Sequence, residues 1–170
     1  MKLKIELENG VRLAWPTPIF DRKFDNTEEL NRRLVEIIHE KEKIDTGNAK
    51  SVTGGWHSSD DVHNWDYPEI RTLVGFITEA VTEMTKVSTG MEADQFGADT
   101  TFIAWANILR DGGYHRSHTH PGCAWSGVYY IQTGSDEAAQ AENDAAGHIE
   151  FYDPRHGVEM VPVPGNPFGQ

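Results

Sequence analysis

The hydrophobic period of this chain changes once, near Gly90, and that change constrains its fold more than any other feature. Before it, apolar side chains recur at helical spacing; after it, β-branched and aromatic residues collect in short runs divided by turn residues. Asn26 with Glu29 three positions on forms a capping pattern, and Leu30, Leu34, Ile37 and Ile38 follow it. Together they predict an amphipathic helix over about 27–43. Asp66 as cap, Pro68 in the first turn and the stripe Ile70, Leu73, Val74, Ile77, Val81 and Met84 predict a second helix with a core-facing side. Strands are predicted at TFIAWANIL (101–109), in the histidine segment GGYHRSHTHPG (112–122), at WSGVYYIQ (125–132) and at HIEFYD (148–153). Asn-Gly at 9–10, inside LKIELENGVRLAW (3–15), adds an N-terminal hairpin. Helices first and strands second is an α+β order, mainly β.

With 170 residues, the expectation is one domain over 1–170, helical over about 26–85 and β from about 100. Between the helices, residues 45–66 show neither period and hold three glycines, two tryptophans and two histidines, the composition of an ordered covering loop. Trp56 and His57 are its candidate substrate contacts, with His63 a weaker one. Residues 134–147 are acidic and poor in large apolar groups, the pattern of a solvated excursion without chemistry. A formal charge of −12 argues against nucleic acid or an anionic membrane as partner, since both need a basic field. The N-terminus is charged and no apolar run is long enough to span a bilayer, so a cytoplasmic protein is expected. Cys123 is the single cysteine, which excludes an internal disulfide and a thiolate metal cluster. Any metal must be held by nitrogen and oxygen.

On a strand, alternate side chains share a face, so His118 and His120 point one way and His115 the other. The span between two such positions, about 6.5–7 Å, can be bridged by imidazoles leaning toward one ion at metal–nitrogen distances of about 2 Å. Such a site suits Fe(II), Mn(II), Ni(II) or Zn(II) and needs a third donor, for which His148, Glu150 and His156 are the candidates within the chain.

The order of these marks resembles the Fe(II)- and 2-oxoglutarate-dependent oxygenases, in particular bacterial oxygenases distantly similar to prolyl hydroxylases. The carrying residues are Gly113, His118 with His120, Ser126-Gly127 with Tyr129-Tyr130, and GHIEF (147–151) leading to DPR (153–155), joined by PTPIF (16–20) and SVTGGWHSSD (51–60). The resemblance implies a double-stranded β-helix, a cupin-like jelly roll with the two helices packed on it. It makes His118 the proximal iron ligand, puts His120 where the family has a carboxylate, and gives Tyr130, with Asn107 as a weaker candidate, to 2-oxoglutarate. The implied cofactors are Fe(II) and 2-oxoglutarate, and the implied reaction is hydroxylation of a small molecule or peptide. In the family the distal histidine and the cosubstrate-binding arginine lie on strands well after the Asp-Pro-Arg stretch. The third ligand and the closing strands are therefore expected beyond Gln170, or from a second subunit in a homodimer. Two alternatives stand beside it. Gly112 and the His-x-His pair open a cupin metal motif, although Ala124 and Trp125 occupy the places where that motif wants glutamate. A non-catalytic binding jelly roll, with unliganded histidines, is the other.

Overall fold

The computed structural model of the chain describes residues 17–48, 50–92, 95, 101–133 and 147–152. The predicted N-terminal hairpin, the acidic stretch 134–146, His156 and the Asp-Pro-Arg motif lie outside them. Through residue 131 the described chain belongs to one packed unit; residues 132–133 and 147–152 belong to a second. In that second unit His148 and Glu150 are exposed, no strand forms over 148–152, and the Tyr152 hydroxyl donates to Glu150 at 3.3 Å.

The first unit begins with helix α1, Glu28–Glu42, close to its predicted span. It buries Leu34, Ile37 and Ile38, while Arg32 joins Glu29 and Glu36 on the solvent side. The predicted cap is not used. Asn26 sits in the left-handed region (φ 56°), Thr27 takes the N-cap position without a side-chain bond, and Glu29 turns to Arg32 instead. Glu28 and Glu29 still place negative charge at the positive end of the helix dipole.

Residues 45–66 are not a loop throughout. Strand β1, Val52–His57, runs through them, followed by a short 3-10 turn over Val62–Asn64. Its residues hid the strand by failing to alternate: Thr53, Gly54 and Gly55 are exposed, while Trp56 and His57 are adjacent and both buried. The partner is β2, Asn107–His115, antiparallel, with Trp56 opposite Ile108 and His57 opposite Asn107. The register shifts between Thr53 and Gly55, so β2 bulges outward there. The two backbones nearly touch at this point: a Cβ on Gly55 would lie 2.2 Å from the Ile108 carbonyl oxygen, and one on Gly113 would lie 2.6 Å from that of Gly54.

Helix α2, Pro68–Thr89, follows with proline in its first turn and Gly90 in the left-handed conformation (φ 70°) at its end. Asp66 pairs with Arg71 rather than capping, and Tyr67 holds the N-cap. The predicted core stripe is only half covered. Ile70 is buried, but Leu73, Val74, Ile77, Val81 and Met84 are intermediate among the described residues. The helix is 22 residues long, about 33 Å, and packs against α1 and the 3-10 turn. Two strand predictions are also corrected. Residues 101–106 are extended with one bridge, Ala104 to Asp61, and 125–131 run without strand pairing. Tyr129 and Ile131 instead lay side chains against a core of Leu34, Ile37, Ile38, Trp56, Val62, Trp65, Ile70 and Ala106. None of the helices is long and apolar enough to cross a membrane among the described residues.

Candidate active site

The buried end of β1 and the chain that leaves β2 face each other across a cleft of about 300 Å³. Their approach is stapled by backbone. Beyond the last strand pair, the Arg116 N–H donates to the Ser51 carbonyl at 2.9 Å, and the Arg116 guanidinium donates to the Lys50 carbonyl at 2.8 Å. After that the chain departs from the sheet. His118 and His120 therefore sit on a loop, not on a strand as predicted, and a turn from His120 to Cys123 with Gly122 at φ 83° closes it.

The loop still brings the two imidazoles together. Their ring centres are 4.9 Å apart, edge to face at 71°. His118 Nδ1 lies 2.7 Å from the Arg116 carbonyl oxygen, which can only accept, so Nδ1 carries the proton and Nε2 keeps its lone pair. His115 is not on the opposite side, as strand parity predicts. Its ring centre is 6.2 Å from that of His118, and its Nδ1 meets the Ser51 hydroxyl at 3.1 Å, because β2 ends there and the chain turns before the next histidine.

Trp105 links this group to β1. Its indole stacks with His120 (5.6 Å, 24°) and with His57 (5.4 Å, 13°), and the Lys50 ammonium lies 5.6 Å from its centre. His57 is 3% exposed and donates from Nδ1 to the Ser58 carbonyl at 2.7 Å. Ser58 in turn accepts the Ala106 N–H on its hydroxyl at 2.9 Å, tying the strand end to the segment that carries Trp105. Burial, then the neighbouring charges of His118 and His57, push the His115 pKa below its ordinary value. Burial, then His118 and Lys50, do the same to His120. The direction favours neutral imidazoles, the form that binds metal.

Of the other residues named from sequence, His57 lines the cleft, whereas Trp56 is packed into the core with its indole N–H on the Asp45 carbonyl at 2.9 Å. Asn107 is exposed at the start of β2 and Tyr130 is 46% exposed; neither lines the cleft. The neighbouring Tyr129 donates to Asn31 at 2.7 Å, which anchors that segment to α1. His63 packs its ring against Phe102. Lys50, Ser51 and Trp105 were not found from sequence, and only Trp105 left a signal there, as the large aromatic of 101–109.

As a metal centre the donor set fits in part. His118 and His120 bring two imidazoles within 4.9 Å of each other, ring centre to ring centre, but among the described residues no group of three His, Cys, Asp or Glu is arranged to hold a metal. His148 and Glu150 belong to the other unit. Comparison with known proteins bears on the same stretch. Residues 103–166, which include the whole histidine segment, match the family described as "Putative 2OG-Fe(II) oxygenase". No curated protein and no solved structure matches the chain.

Proposed function

We propose that the chain acts as an Fe(II)- and 2-oxoglutarate-dependent dioxygenase of the hydroxylating kind, with His118 and His120 as two of the metal's protein ligands. The observation that carries this reading is the convergence of two imidazoles, 4.9 Å apart, on a cleft inside the stretch that matches the oxygenase family. When bound, iron and 2-oxoglutarate supply the oxidising chemistry, with succinate and CO₂ as co-products and one oxygen atom delivered to the substrate. The protein's own work is orientation and exclusion of water. His118 is held by the Arg116 carbonyl, His120 by the face of Trp105, and the stapled Lys50–Ser51 and Arg116 segments keep the rim of the cleft in place. A third donor from outside the described residues completes the site, and a jelly roll completed by residues outside the described set is the fold that would supply it. A cupin-type centre is the weaker reading, because its glutamate positions are Ala124 and Trp125, and Trp125 is engaged with Thr85 at 3.1 Å.

The full-length protein, given Fe(II), ascorbate and 2-oxoglutarate, is expected to release succinate above the protein-free rate. Absence of succinate, together with no 2-oxoglutarate-induced rise in melting temperature, would refute the assignment.

A further inference from the structure

The cleft beside His118 and His120 differs in charge from the chain that builds it. The molecule carries −12, yet among the described residues no aspartate or glutamate lines the cleft, and its one fully charged lining residue is Lys50. This ammonium lies 5.6 Å from the centre of the Trp105 ring, which stacks with His120. Asp60 accepts from Lys50 at 2.6 and 2.5 Å, but the two side chains are 45% and 37% exposed. Exposed ion pairs of this kind are worth about 0–1 kcal/mol, and an ammonium has three donors. Asp60 therefore leaves Lys50 able to meet a second carboxylate. The Arg116 guanidinium, on the Lys50 carbonyl, adds positive charge at the rim.

His57 supplies the complementary feature. With Nδ1 donating to Ser58, its remaining polar atom is Nε2, a pure acceptor, on a residue that lines the cleft. An acceptor held in a buried ring rewards an O–H or N–H on the ligand and penalises a ligand without one. Lys50 and His57 both lie beside the Trp105 ring, at 5.6 and 5.4 Å from its centre, and the cleft holds about 300 Å³, so a ligand that joins them is small and runs past the indole and Ile103.

We propose that the substrate of this cleft is a small aliphatic carboxylic acid bearing a hydroxyl or amino donor, with its carboxylate on Lys50 and its O–H or N–H on His57 Nε2. The proposal rests on the oxygenase reading, which leaves His118 and His120 to the metal.

The test titrates the metal-free full-length protein with β-hydroxybutyrate, butyrate and a butanediol, following the Trp105 indole signal by NMR. β-Hydroxybutyrate is expected to shift that signal and saturate, butyrate to bind several-fold more weakly, and the diol not to saturate. Lys50→Met, at an exposed position, should weaken β-hydroxybutyrate by at least about tenfold. His57→Phe keeps the aromatic stack and should erase the advantage of β-hydroxybutyrate over butyrate. Unchanged affinity in Lys50→Met, diol binding as tight as the acid, or no binding by any probe would overturn the proposal. So would tighter Lys50-dependent binding of 2-oxoglutarate, which would give the lysine to the cosubstrate. These titrations need neither iron nor turnover, so their outcome is separate from that of the succinate assay.

Discussion

At the scale of single residues, the site depends on which nitrogen of each imidazole is free. The Arg116 carbonyl fixes the His118 proton on Nδ1, so Nε2 is left as the donor to a metal. His118→Ala and His120→Ala should each abolish retention of Fe(II) through desalting. His115→Ala should weaken binding without abolishing retention, since that ring bonds to Ser51 and supports the site only indirectly. Equilibrium dialysis of the three variants checks this, and equal loss in all three would mean that His115 is a ligand. The same histidines give the metal-free protein a pH dependence. His115 and His120 have folded-state pKa values below the ordinary histidine value of about 6.5, so in acid the unfolded chain binds more protons than the folded one. Their contribution is fully present above that value and is lost as pH falls below it. The melting temperature should therefore drop between pH 7 and pH 5.5, and the drop should be smaller in His115→Ala.

At the scale of elements, the positions of His57 and Trp105 depend on how closely β1 and β2 approach. Gly55→Ala would drive a methyl group into the Ile108 carbonyl, 2.2 Å away, and should cost about 1–3 kcal/mol by urea denaturation. Leu34→Ala, at a fully buried position of α1, should cost about 2–5 kcal/mol without altering the cleft. The two helices were legible in sequence because Leu34, Ile37, Ile38 and Ile70 repeat at helical spacing. Their caps were not, because Asn26 and Asp66 have side-chain options other than the helix end, and Asp66 takes one of them in Arg71. Strand β1 was missed because three exposed residues, Thr53 to Gly55, run together and buried Trp56 and His57 are adjacent, which removes the alternation that marks a half-buried strand. The histidine pair was expected on a strand, and the structure places its two rings 4.9 Å apart on a loop. Two-residue spacing allows convergence from a tight loop as well as from a pleat, and His115, which distinguishes the two, lies beside His118.

At the scale of the molecule, an acidic chain builds a cleft whose lining includes histidine, tryptophan and lysine, and nothing in net charge or composition announced it. Lys50 and His57 come from before the second helix, and His118 and His120 from after it. Only antiparallel pairing of β1 with β2 brings them together, a contact that no local pattern encodes. The most direct measurement is X-ray absorption of the Fe(II)-loaded full-length protein, which counts coordinated imidazoles. His118→Ala and His120→Ala should each remove one imidazole from the coordination sphere of the wild type or leave no metal bound. An unchanged sphere in either variant, or a wild type that binds no iron, would contradict convergence of these two rings on one metal.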